Sequence, residues 1–163
     1  MKELRSQESP QATDALYSLA CGPHVRVKMF SGCIVNGVRF HTRDREKRRK
    51  TQNSGLVVEG DHEDEMHDFY GVLVNVIELN YIFDYRVVLF KCEWFETNPK
   101  KPVIRRDYNF ICIDVSNKWY ENDPFILATQ AQQVFYVNDT KFGKNWRVVQ
   151  RVQYSHLRDI QRE

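Results

Sequence analysis

The chain lacks most of the spacings that announce enzyme chemistry. There is no GxSxG, no phosphate-binding glycine loop and no HExxH, and no cysteine sits in a recognisable activating context. Asp114 and Asp123 are separated by irregular sequence, as scattered carboxylates are in any water-soluble protein. These absences point away from catalysis and imply no cofactor. The four cysteines, Cys21, Cys33, Cys92 and Cys112, form no CxxC pair. Two of them fall inside strand patterns, where a small apolar side chain is expected, so they read as reduced core thiols. No secretory apolar segment and no apolar run of membrane-spanning length occurs, which predicts a soluble intracellular protein without a membrane partner. Internal repeats and low-complexity tracts are missing as well.

What is present is β-rich. At 163 residues the chain fits one domain large enough to fold without disulfides or a structural metal. The segment FYGVLVNVIELNYIFDYRVVLFKCEWF, 69–95, places two apolar runs on either side of a short polar and aromatic connection. It predicts a long antiparallel hairpin of 70–79 with 85–95. Simple alternation sets Val72, Val74 and Val76 against Leu73, Asn75 and Ile77. Beyond the turn it sets Val88, Phe90, Cys92 and Trp94 against Val87, Leu89 and Phe95. Three further strands are predicted at 109–115, 133–137 and 146–152, each bounded by Asn, Asp, Gly or Pro. Trp146 is expected in the core, with Val148 on its face and Val149 on the other. Weaker strand patterns cover 25–30 and 33–41, where Asn36-Gly37 suits a tight type I′ turn, and 53–55 (NSG) reads as another turn. A short helix is predicted over 14–20, capped by Thr13 or Asp14 and stopped by Gly22-Pro23, after a dozen residues expected to wander. The segment 97–107, with two prolines and four basic residues, reads as an exposed connection. A small, mostly-β barrel follows, with 1–23 as a tail and 24–163 as the domain.

The formal charge of +2 conceals two opposed blocks. Residues 39–50 carry seven Lys or Arg against two acids, and 59–68 carry six acids with no Lys or Arg. Charge runs usually form solvated surface, so these read as two loops that attract each other across a hairpin. The alternative gives Arg43, Arg45, Lys47, Arg48, Arg49 and Lys50 a nucleic-acid or nuclear-import role, since such a cluster neutralises phosphates by counterion release. Lys100, Lys101, Arg105 and Arg106 would assist it. His62 and His67 stand among carboxylates, but two histidines five apart do not share a helix face and the segment lacks the donors of a calcium loop, so no metal site is expected.

Five ordered blocks, NGVRFHT (36–42), TQNSG (51–55), FYGVLVNVIEL (69–79), LFKCEWFE (89–96) and DPFILATQAQQVFYVND (123–139), resemble the uncharacterised domain that accompanies plant CACTA (En/Spm-type) transposases. That resemblance implies a transposase-associated or transposon-derived module, separate from any catalytic core, and favours the nucleus. A weaker likeness, in the order YGVLVNVIEL, VVLFKCEWFE, polar loop, DPFILATQAQQVFYVND, is to bromo-adjacent homology domains, which are chromatin-associated SH3-like β-barrels. By that resemblance Tyr70, Trp94 and Phe95 are candidates for an aromatic cage around methylated lysine. Glu93, Glu96 and the acidic block would favour a basic, histone-like peptide. The sequence has WFETNP where the chromatin family carries an aromatic, arginine and proline run. The resulting expectation is a non-catalytic module that recognises a histone tail or another protein peptide, with accessory DNA binding through residues 43–50 as the alternative.

Overall fold

The computed structural model describes residues 13–152; the expected wandering head and the last eleven residues lie outside them. Helix α1 (Asp14–Cys21) begins where the Thr13 hydroxyl accepts the Leu16 amide at 3.2 Å. It ends at Gly22, whose φ of 79° an L side chain would resist. The buried Ser18 hydroxyl donates to the Ile82 carbonyl at 2.7 Å, which docks α1 on the short 3-10 turn Ile82–Asp84.

Twelve strands follow: β1 (Lys28–Phe30), β2 (Gly32–Val35), β3 (Val38–His41), β4 (Gly55–His62), β5 (Glu65–Asn80), β6 (Arg86–Phe95), β7 (Ile104–Asp107), β8 (Phe110–Asp114), β9 (Lys118–Trp119), β10 (Phe125–Leu127), β11 (Gln132–Asn138) and β12 (Trp146–Arg151). The one-turn helix α2 (Arg43–Glu46) separates β3 from β4. The β2–β3 hairpin closes on Asn36 and Gly37, both at positive φ, as a type I′ turn demands. All other strands join one antiparallel sheet in the order β10-β6-β5-β4-β11-β12-β8-β7, with β1 on β5 and β9 on β6.

The expected hairpin of 70–79 with 85–95 is present as β5 and β6, and the three downstream strands form as β8, β11 and β12. The barrel does not: the sheet remains open, with β7 at one end and the short β9 and β10 on β6 at the other. Alternation and turns specify neighbouring pairs, whereas closure requires the terminal strands to meet.

Two apolar clusters occupy opposite sheet faces. Leu56 and Val58 of β4 join Phe40, Leu73, Val76, Phe90, Cys92 and Trp94. Val57, between them, joins Tyr70, Ile113, Val134 and Val149. Simple alternation fails along β5, because Leu73 pairs with Cys92 while Asn75 pairs with Lys91, leaving Val74 as an extra residue. This bulge puts Leu73 and Val76 on the same buried face. Cys92 and Cys112 are buried free thiols, as expected.

Other expectations are corrected. The acidic block is no loop: 59–62 and 65–68 are strand, joined by Glu63 and Asp64 in a left-handed turn. Its cations are Lys100, 2.6 Å from Glu63, and Arg151, 2.7 Å from Asp68, and none comes from the basic block among the described residues. NSG is not a turn, because Gly55 already opens β4, packed so closely that an added Cβ would lie 2.9 Å from Tyr136. Part of the 97–107 connection is strand β7, and Thr97 and Val103 are buried. Trp146 is half-buried on the sheet face away from Val149, against Phe142 at 5.7 Å, with the Arg105 guanidinium 5.2 Å from its ring. Its partner on β8 is Asp114, not an apolar residue.

Phe90→Ala, at a fully buried site, is expected to cost about 3–5 kcal/mol. Trp146→Ala, losing only part of that burial, is expected to cost about 1–2 kcal/mol. Urea unfolding of the two variants checks the order.

Candidate aromatic and acidic cleft

The three residues proposed as a cage do not converge. Gly71 stands opposite Trp94, so Trp94 shares the Gly71 face while Tyr70 points to the other. Tyr70 and Phe95 accordingly pack in one cluster and Trp94 in the other. Phe95 meets Tyr136 edge to face at 5.5 Å. The Tyr136 hydroxyl donates to the Gly71 carbonyl at 2.8 Å, and burial pushes its phenol well up. The nearby carboxylates are engaged: Glu93 takes a two-pronged contact from Arg43 at 2.6 and 3.0 Å and lies 3.3 Å from Lys118. Glu96 is 2.6 Å from Lys101.

Different rings gather around Trp94. Glycine makes this possible, since a Cβ on Gly71 would come within 2.7 Å of the indole and one on Gly60 within 3.1 Å of the Phe69 ring. Phe69 lies 6.4 Å from Trp94, 5.6 Å from Trp119 and 5.6 Å from Tyr120, and Trp119 lies 4.7 Å from Tyr120. Tyr120 holds a left-handed backbone at φ 48°, a costly conformation for a bulky residue. Its carbonyl accepts the Asp123 amide at 3.0 Å, and its hydroxyl meets His62 Nδ1 at 2.8 Å.

These rings border a cleft of about 300 Å³ lined by Val58, Gly60, Phe69, Trp94, Tyr120, Phe125 and Ile126, with the acids Glu59, Asp61 and Asp123 and the amide of Gln130. Among the described residues no Lys or Arg lines it. Ring faces attract a cation placed within about 6 Å of a centroid, and exposed carboxylates add a favourable field. The cleft therefore suits an ammonium or guanidinium group and disfavours phosphate.

Beyond the strand that carries Glu59 lies a second cavity of about 300 Å³, bordered by Glu59, Met66, His67, Asp68, Tyr70, Ile104, Arg106 and Ile111. Tyr70 is only 2% exposed, and among the described residues its hydroxyl makes no hydrogen bond of good geometry, its polar neighbour being the Arg151 guanidinium. Burial raises its pKa, so the phenol stays neutral.

The alternative basic site is largely committed elsewhere. Arg43 binds Glu93, Lys47 lies 3.4 Å from Asp44, and Arg45 donates to the Ser31 hydroxyl at 3.4 Å. Glu46, inside the run, accepts the Asn53 and Ser54 amides at 2.8 and 2.7 Å. Lys100 and Lys101 are ion-paired. Arg48, Arg49 and Lys50 are exposed, and no ion pair is found for them among the described residues. Arg45, Arg48 and Arg49 border a broad open concavity with Ser31, Thr42 and Asp44.

His62 and His67 lie 5.8 Å apart, but Tyr120 and Thr97 take one nitrogen of each. Among the described residues no group of three His, Cys, Asp or Glu side chains is gathered for a metal. Reading from sequence missed Phe69, Tyr120 and Phe125 as cleft walls. The aromatic pair Trp119-Tyr120 ahead of END was the available signal.

Burial, then the neighbouring His62, holds the His67 imidazole below its ordinary value near 6.5. The folded value is depressed, so the neutral ring's contribution is complete above 6.5 and is lost as pH falls toward the folded value. The urea midpoint is expected to drop between pH 7 and pH 5, and His67→Gln to flatten that drop. His41, also lowered chiefly by burial, accounts for the slope that remains.

Residues 77–149 match a family model described as a domain of unknown function, DUF4216. The matched stretch, a little under half of the chain, runs from the last residues of β5 into β12 and includes Trp94, Trp119, Tyr120 and Phe125. Phe69, Glu59 and Asp61 precede it. No curated protein and no solved structure matches the chain.

Proposed function

We propose that the chain is a non-catalytic binding module of a transposase or transposon-derived protein. It acts in the nucleus, where its cleft takes a cationic side chain, best a methylated lysine, from a histone tail or another chromatin peptide. The observation that carries this reading is the cleft itself: Phe69, Trp94, Tyr120 and Phe125 stand beside Glu59, Asp61 and Asp123, with no Lys or Arg on the lining among the described residues. The match to a domain family common in plant transposase-related proteins supports the wider setting. The cage is moved from Tyr70, Trp94 and Phe95 to the ring set that shares Trp94.

The test is an array of histone-tail peptides followed by titration of the best binder. Tyr120→Ala and Phe125→Ala replace half-exposed rings and leave the core intact. Each is expected to weaken a trimethyllysine peptide by about 1–2 kcal/mol while thermal unfolding stays cooperative. Unchanged affinity in both variants defeats the reading. Trp94→Ala is a poor probe, because a side chain only 5% exposed is lost from the core along with the cleft wall.

A second reading rests on Arg48, Arg49 and Lys50, consecutive exposed cations of the basic block with no ion pair among the described residues. As an accessory DNA contact it predicts weak, sequence-independent binding that falls steeply from low to physiological salt. Reversal of these three residues to Glu is expected to remove that binding and leave peptide affinity unchanged. Fluorescence anisotropy with a short duplex measures it.

A further inference from the structure

Strand β4 has an unfinished edge. The Leu73 amide donates to the Ser54 carbonyl at 2.8 Å, which sets the phase of the β4–β5 ladder. Alternation then directs the main-chain groups of Leu56, Val58 and Gly60 toward β5, and those of Val57, Glu59 and Asp61 away from it. Val57 finds Gln132 of β11, but that pairing comprises only Gln132 with Val57 and Gln133 with Leu56. The preceding chain turns off through the 3-10 turn Ala128–Gln130. Among the described residues no hydrogen bond is found for the N–H or C=O of Glu59 or Asp61 on this outer side.

Cavities flank the same edge. On one face Val58 and Gly60 border the aromatic cleft. On the other, Glu59 borders the cavity lined by the buried Tyr70 and by Arg106. A strand laid against β4 sends alternate side chains to opposite faces.

We propose that an extended basic peptide binds by adding a strand to β4 at Glu59 and Asp61. One cationic side chain enters the aromatic cleft, and its sequence neighbours face the opposite side, beside Glu59. The occupant is a basic peptide because the open stretch presents Glu59 and Asp61, with Asp123 across the cleft, while Arg151, which borders Glu59 at the β11 end, is already paired with Asp68; the carboxylates also disfavour a second copy of the same edge. This rests on the cleft reading above and adds the main-chain geometry by which the ligand is held.

The probe is a nine-residue Lys- and Arg-containing peptide with one central trimethyllysine, titrated into the full chain beside capped trimethyllysine alone. N-methylation of a peptide amide that meets the edge is expected to weaken binding about five- to tenfold. Asp61→Pro, which removes an outward N–H and leaves the β5 ladder intact, is expected to do the same relative to Asp61→Asn. Capped trimethyllysine, which has no backbone to pair with the edge, should bind Asp61→Pro and Asp61→Asn alike. Hydrogen exchange at the Glu59 and Asp61 amides should be fast in the free protein and slow with peptide.

If N-methylated and parent peptides bind alike while Tyr120→Ala abolishes binding, strand addition is wrong and the cleft reading stands. If N-methylation weakens binding but Tyr120→Ala and loss of the methyl groups do not, the edge is used and the cleft reading fails. Amides already protected without peptide, or a dimer in sedimentation that peptide does not dissociate, show the edge covered by the chain itself and overturn the proposal.

Discussion

Pairing along β5 constrains everything else in this molecule. Its sixteen residues carry β4 and β1 on one edge and β6 on the other, so the register at Gly71 against Trp94 settles which ring lies on which face. The extra residue at Val74 then changes phase. Without it, Leu73 and Val76 would face opposite ways and one of two fully buried side chains would be thrown into water, a loss on the order of 2 kcal/mol.

The same pairing explains why aromatics collect near the cleft. Gly60 and Gly71 remove Cβ atoms where Phe69 and Trp94 cross the neighbouring backbone, and β9 sets Trp119 opposite Trp94. The left-handed Tyr120 is held by its contacts with His62, Phe69 and Trp119. The cost of its backbone is offset by ring packing and one short hydrogen bond. That arrangement keeps Tyr120 and Phe125 partly exposed, whereas Tyr70 is closed into the opposite cluster.

Charge follows a similar logic. The two blocks of opposite sign are not partners: Arg43 crosses to Glu93, and the acidic hairpin takes Lys100 and Arg151. Within the basic block Arg39, Arg48, Arg49 and Lys50 are exposed with no ion pair among the described residues, free for solvent or an anion. The hairpin meanwhile keeps Glu59 and Asp61 along an edge whose main chain has donors and acceptors to give.

Alternation and turn residues alone determined the β5–β6 hairpin, strands β8, β11 and β12, the Asn36-Gly37 turn and the capped helix α1, because each depends on neighbours within a few residues or on one short connection. They could not determine the phase of β5 after Val74, since a bulge is chosen by the partner strand's packing and leaves no mark on the hydrophobic pattern. They misplaced 59–68, where six acids outweighed a hairpin that continues the apolar β4–β5 ladder and is held by Lys100 and Arg151 instead of by its own composition. Trp146 read as core because size and strand position are local, whereas the Asp114 opposite it is not. Whether the sheet closes, which rings meet, and which stretch of β4 lacks a neighbour were decided by tertiary structure, since each compares segments far apart in the chain.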